Sequence, residues 1–447
     1  MNYQSYVDKL GSARDQNTKT TSSFGILVFL GLNALLAVMI QTLPIISTIH
    51  VYVTMLVGLF FLINDKEPYR LINWMGYVMG AELFWRGTGA NTFWETGKYI
   101  LILFSFLGML RFKGGYKPPL SVIPYFFLLL PSLFLLPAFD REKIAFNLAG
   151  PLALVMASLF FSQFSINLKQ HKSLLLAILS SVLIFSVLAL IGVINAETIE
   201  FGQSSMFATS ANTGPNQVSS ILALGAYAAV IFVILEKERK FLRLVVLLLA
   251  TGLITQILLT FSRGGLWTLI GALLVAGFLF LGDRRSRTAF ILASAIILFL
   301  FSSVILPALD RFTAGELGER ISDLDTTGRT KIVRSDWEAF LENPIFGVGV
   351  GGSRVYHARY FRVSHSHTEF SRMLAEHGVL GGLSLLFLII ALLKKVLQKT
   401  GNVNKAVIAS CIMWSLLFMA HSATRLAAPS FLIGLSFAHF DLKGDQK

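Results

Sequence analysis

Apolar runs recur along nearly the whole chain, each close to the roughly 20 residues that a bilayer core demands. Set off by polar, glycine and proline punctuation, they fall near 23–41, 44–63, 71–86, 97–110, 119–138, 147–166, 173–194, 216–235, 242–260, 264–281, 288–306, 378–393, 404–421 and 425–440. The pattern predicts an all-α, polytopic membrane bundle of about 12 to 14 transmembrane helices. The third and fourth runs are short, and Glu82 and Arg86 stand one turn apart in the third, which suits a tilted or partly re-entrant piece. One long polar stretch interrupts the series, from Leu306 to His377.

Composition agrees with the pattern. The chain is 54% hydrophobic and 14% charged, where a soluble domain carries nearer a quarter charged residues. A net charge of +13 raises the question of nucleic acid, but the basic residues sit in short clusters between apolar runs, as in cytoplasmic loops. One set of loops holds Lys66 and Arg70, Arg111 to Lys117, Lys169 and Lys172, Lys237 to Arg243, Arg284 to Arg287, and Lys394 to Lys399. In the opposite set, the turn at Gln41–Pro44 and the stretch Asn195–Pro215 hold no Lys or Arg. This bias predicts cytoplasmic termini, an uncleaved first span and an extracytoplasmic polar segment. The expected organisation is a tail 1–22, a transmembrane bundle 23–306, an extracytoplasmic loop 307–377, C-terminal helices 378–440 and a tail 441–447. Cys411 is the single cysteine and lies in an apolar run, so a disulfide framework is excluded.

Three constellations carry chemistry. Thr260-Phe261-Ser262-Arg263-Gly264-Gly265 is a tight turn between two spans on the outer face. Arg263 there either snorkels to lipid headgroups or meets a ligand, and spacing alone does not choose. Next, Val333, Trp337, Phe340 and Leu341 recur at helical spacing, predicting an amphipathic helix capped by Thr327 and ended by Asn343-Pro344, with Arg329 in its first turn. This helix would lie on the membrane surface or cover the bundle. The glycines 347, 349, 351 and 352 that follow resemble a phosphate loop but succeed no strand, and a close-packed turn is the better reading.

The third constellation runs from Ser364 to Gly378. Ser366 and Glu369 form a capping-box pattern that puts His367 at a helix start, whose positive end would hold the imidazole neutral and able to accept a hydroxyl proton. Upstream, Arg354, His357, Arg359 and Arg362 form a basic stretch suited to an anionic headgroup or a diphosphate. A zinc reading of His365-x-His367, with His377 or Glu376, is weaker because the two rings do not readily aim at one point. A secondary transporter or lipid-linked glycan flippase is the alternative of another class. It is disfavoured because no internal repeat is seen and the middles of the runs are nearly free of ionisable groups.

The series His367-x-Glu-Phe-x-Arg-x-Leu-x-Glu376-x-Gly378, followed by a span, resembles the signature of the O-antigen ligase and O-antigen polymerase superfamily. Gly328-Arg329…Trp337…Pro344…Gly347-x-Gly349-x-Gly351 resembles its outer-loop motif and Ser262-Arg263-Gly264 its span-turn arginine, the match covering about residues 210 to 440. His367 is followed by Thr368 where many relatives carry asparagine. The resemblance implies an inverting glycosyltransferase of the GT-C type in a bacterial cytoplasmic membrane, independent of metal and without a cofactor. Its donor would be a glycan on undecaprenyl diphosphate, and its acceptor a lipid A-core sugar or another lipid-linked repeat, in lipopolysaccharide or other surface polysaccharide synthesis. By position, His367 would be the general base, while Arg263 and Arg329 would hold the diphosphate. Arg354, Arg359, Arg362, His365, Arg372 and Glu376, with Asn216 on the acceptor path, complete the expected substrate-binding set.

Overall fold

The computed structural model describes residues 22–136, 138–195, 199–202, 205–211, 213–322, 329–360 and 366–442. Its helices are α1 (Ser23–Thr42), α2 (Ile45–Asn64), α3 (Tyr69–Gly87), α4 (Thr96–Arg111), α5 (Ile123–Phe127), α6 (Arg141–Phe161), α7 (Leu168–Ile194), α8 (Pro215–Leu235) and α9 (Lys240–Leu259). There follow α10 (Arg263–Phe280), α11 (Arg284–Leu300), α12 (Leu306–Phe312), α13 (Glu316–Ser322), α14 (Arg329–Glu342), α15 (Ser353–His357), α16 (Glu369–Leu397), α17 (Asn402–Ser422) and α18 (Ala428–Ser436). Strands β1 (Ser165–Asn167) and β2 (His439–Asp441) form a short parallel pair.

Among the described residues, ten helices are long and apolar enough to cross a membrane: α1, α2, α6 to α10, the stretch Ser286–Phe312, α16 and α17. The other four apolar runs are also helical but shorter or more polar. α3 is one unbroken helix of 19 residues, which the Glu82–Arg86 pair does not interrupt. Prolines 119, 124 and 131 divide the fifth run into two 3-10 turns around α5, because proline lacks the amide that continues a helix. The last run is only the nine-residue α18, entered through Pro429.

α8 is buried along its whole length and packs against α7, α9 and α10, which makes it the axis of the bundle. By contrast, Phe24, Leu56, Phe278 and Phe299 on other helices are each more than half exposed. An apolar surface of that extent is stable only against lipid or a partner. The all-α polytopic bundle is thus present.

One break in a long helix shapes the site. Within α16, Gly378 adopts φ 61°, ψ −144°, a conformation that costs other residues strain. The kink opens the helical ladder, and the segment after α14 closes it. Val348 and Gly349 donate their amides to Ala375 O and Glu376 O at 2.9 and 3.1 Å, while Val379 N donates to Pro344 O at 2.7 Å. The glycine run is therefore a close-packed turn, as its spacing suggested, and two of its amides are engaged by α16 rather than open to a phosphate. A Cβ on Gly347 (φ 70°) would lie 2.4 Å from the backbone carbon of Glu376. Gly347→Ala is expected to destabilise the fold by roughly 2 kcal/mol or more, read as a lower unfolding midpoint of the purified protein. An unchanged midpoint would contradict this packing.

Candidate active site

At the end of the bundle where α16 begins, a buried ion cluster fixes the scaffold. Arg372 is 1% exposed. It donates to Glu369 Oε1 at 2.7 Å and to Glu376 Oε2 at 3.0 Å, and reaches the carbonyl of Asn147 on α6 at 3.3 Å. Glu369 also accepts from the Thr424 hydroxyl at 3.1 Å, and Glu376 from the Ser353 hydroxyl at 2.9 Å. One guanidinium thus joins the start of α16 to α6, to α15 and to the turn before α18. Arg372 and Glu376, expected to touch substrate, are closed into this network.

A second hub is Asp336, fully buried on α14. Its carboxylate accepts from Ser366 Oγ at 3.1 Å, pairs with His357 Nε2 at 2.7 Å and also accepts from Ser371. The helix runs from Arg329 to Glu342, and its apolar stripe faces away from the bundle. Ile332, Ser335, Asp336 and Ala339 face inward, while Val333, Trp337 and Leu341 are 41%, 50% and 61% exposed. Polar partners, not the apolar stripe, attach this helix to the bundle. Because Ser366 is bound to Asp336, it does not cap α16. The N-cap is Thr368, whose hydroxyl accepts from Phe370 N at 3.3 Å, so His367 precedes the helix and the expected capping box is absent.

His367 is held by its backbone: its carbonyl accepts from Ala423 N at 3.1 Å, and the carbonyl of Ser366 accepts from Arg425 Nη2 at 3.4 Å. Burial, then the positive charges of Arg329 and Arg425, lower its pKa to about 4. The imidazole is neutral near pH 7, as its sequence setting suggested, but desolvation and neighbouring guanidiniums are the cause.

Arg329 begins α14 and donates to Asn216 Oδ1 at 3.2 Å; the same oxygen accepts from Ser262 Oγ at 2.6 Å. Asn216, at the start of α8, therefore links the span turn bearing Arg263 to the cover helix bearing Arg329. Burial, then Arg263, then Arg320 depress the pKa of Arg329. Three guanidiniums are gathered closely enough to repel one another, an arrangement that an anion would relieve. In the span turn Phe261 takes a left-handed φ of 54°. A Cβ on Gly265 would lie 2.2 Å from Ser219 O, and one on Gly264 2.6 Å from His421 Nδ1. These glycines let α10 sit against α8 and α17.

The chain brings His367, Arg329, Arg263 and Asn216 to one place. It leaves Arg354 exposed on α15, and pairs Arg359 with Glu338 and Glu342 at 3.6 and 3.7 Å over the Tyr356 ring. Of the expected zinc set, His377 Nδ1 is turned to Ser132 Oγ at 2.7 Å and Glu376 to Arg372. Arg362, His365 and the Thr327 cap lie outside the described residues. Sequence reasoning passed over Asp336, Arg320, His421 and Arg425. His421 is buried with Nε2 3.0 Å from Thr268 Oγ1, and Arg425 stacks over Phe146 with its pKa lowered to about 10, first by burial. Arg425 was findable, since it repeats the pattern of an arginine in a short turn between apolar runs.

Fold and site together define a multi-pass helical membrane protein with a guanidinium- and imidazole-lined centre at one end of its bundle. Residues 248–386 match the family model described as O-antigen ligase, a match that supports a likeness to the membrane enzymes of the O-antigen ligase and polymerase superfamily. The matched segment contains Arg263, Arg329 and His367 and excludes Asn216, His421 and Arg425. No curated protein matches the chain.

Proposed function

We propose that the chain transfers a glycan from an undecaprenyl-diphosphate donor to an acceptor hydroxyl at the outer face of the bacterial cytoplasmic membrane. The observation that carries this reading is the neutral imidazole of His367 beside the Arg329 and Arg425 guanidiniums, with Arg263 and Arg320 in turn near Arg329. The charge bias of the loops supports the sidedness, and the segment from about 307 to 377 serves as the cover of the site.

In the proposed reaction the acceptor oxygen attacks the anomeric carbon as its proton passes to His367. The bond from that carbon to the diphosphate oxygen breaks, and its electron pair leaves with the diphosphate. The guanidiniums stabilise that charge in a partly desolvated place, where fixed cations act most strongly. A single displacement inverts the anomeric configuration. With cations already gathered there, no metal is needed for the leaving group. Asn216 holds Arg329 against the span turn, while Arg372 and Glu376 position the His367 segment. Arg354 lies where an incoming anionic substrate meets it first.

The test supplies the purified full chain in lipid nanodiscs with a defined undecaprenyl-diphosphate glycan, with and without a lipid A-core acceptor. Product only with the acceptor marks a ligase, and lengthening of the lipid-linked glycan without it marks a polymerase. Failure to consume the donor in either arm would overturn the proposal. Transfer is expected to keep its full rate in EDTA, and loss that zinc restores would overturn metal independence.

A further inference from the structure

The Glu82–Arg86 pair of α3 has no part in the reaction above, yet it forms the floor of a pocket beside the active centre. This pocket, about 110 Å³, is lined by Glu82, Trp85, Arg86 and the loop residues Thr92, Phe93 and Trp94. Such a volume accommodates several water-sized polar groups. The floor is charged and buried: Glu82 and Arg86 are 1% and 4% exposed at their side chains, and Arg86 also pairs with Glu95 at 3.5 Å. The rim is aromatic and open. Phe93 and Trp94 are 60% and 55% exposed, with Arg141 and Arg86 each 5.0 Å from the respective ring centre.

The pocket joins the active centre through two hydrogen bonds. Arg86 Nη1 donates to the carbonyl of Arg425 at 2.9 Å, and Arg425 Nη2 donates to the carbonyl of Ser366, the residue before His367. Glu82 secures the same turn by accepting from Ala427 N at 2.7 Å.

We propose that this pocket is a glycan subsite that seats a sugar ring next to the reacting hydroxyl or the reacting anomeric carbon. The chemistry selects the ligand class. An anion would face Glu82, and an acyl chain would make no use of the polar atoms at the floor of the pocket. A pyranose has hydroxyls that both donate to a carboxylate and accept from a guanidinium, and C–H faces that lie against Trp94 and Phe93. Ionisable groups in a membrane-embedded helix commonly mark function, and here they are placed where a polyhydroxylated ligand reaches them. The inference deepens the glycosyltransferase reading and rests on it for the identity of the sugar as donor or acceptor.

The probe is the set of oligosaccharides released by mild acid from the source bacterium's own surface polysaccharide, titrated calorimetrically against the full chain in nanodiscs. Wild type is expected to bind. Trp94→Ala is expected to bind about tenfold more weakly, as loss of one aromatic contact face implies, and Trp94→Phe to bind close to wild type. In transfer assays Trp94→Ala should raise KM for one glycan, the donor's or the acceptor's, which identifies the occupant. His367→Ala should keep oligosaccharide binding while losing transfer. Wild-type transfer activity retained by that variant would end the general-base role of His367, and failure of wild type to consume the donor would defeat the enzyme reading, while the Trp94 titrations still decide the subsite. Equal binding by wild type and Trp94→Ala, or no binding by wild type, would overturn the subsite.

Discussion

Replacing His367 by alanine is expected to lower the transfer rate by about 10²- to 10⁴-fold while the protein still reaches the membrane, because a positioned general base supplies a factor of that size. The pH dependence gives an independent readout. In the proposed reaction the base is the neutral imidazole, whose pKa is lowered to about 4 by burial and adjacent guanidiniums. Wild-type turnover should therefore hold from neutral pH to about pH 5 and fall as pH drops through about 4, where protonation removes the acceptor lone pair. The residual rate of His367→Ala should lack that acid limb. A variant with wild-type turnover would end the general-base assignment.

The largest expected effect on stability is at Arg372. Arg372→Met leaves Glu369 and Glu376 buried without their shared cation. Removing one partner of a buried ion network costs about 3–5 kcal/mol, which for a chain of this length corresponds to a melting point lower by about 3–5 °C. The triple variant Arg372→Met, Glu369→Gln, Glu376→Gln should recover much of the loss, since it leaves no carboxylate unpaired. A single variant that melts with wild type would show that the network does not hold the start of α16.

Length and hydropathy made most of the bundle readable from the chain, because a bilayer imposes one dominant requirement on each span. The bounds of α14 were readable too, since Asn343-Pro344 is a local stop. Its attachment was not: the spacing of Val333, Trp337 and Leu341 marks an apolar stripe without saying what it faces, and the inward attachment is Asp336 with His357, Ser366 and Ser371, partners supplied by other segments. The same contacts explain the cap. Ser366 and Glu369 carry the right spacing for a capping box, yet one is drawn to Asp336 and the other to Arg372 and Thr424. Arg263, Arg329 and His367 stood out as charges and imidazoles at span ends. Arg320 and His421 did not, because only tertiary packing brings them beside those groups. The wedge of prolines before α6 and Pro429 in the first turn of α18 shortened two runs that hydropathy alone would let cross.

α14 also changes what counts as the boundary of the catalytic chamber. Its inner side bonds to the protein, while Val333, Trp337 and Leu341 on its outer side are bare apolar surface that the headgroup–acyl boundary would cover. On the proposed placement at the outer face, lipid would form part of the roof of the site, and the chamber would be complete only in a membrane. Detergent that replaces those lipids replaces part of that roof, so the thickness and composition of the bilayer belong among the determinants of how tightly a long lipid-linked glycan is enclosed.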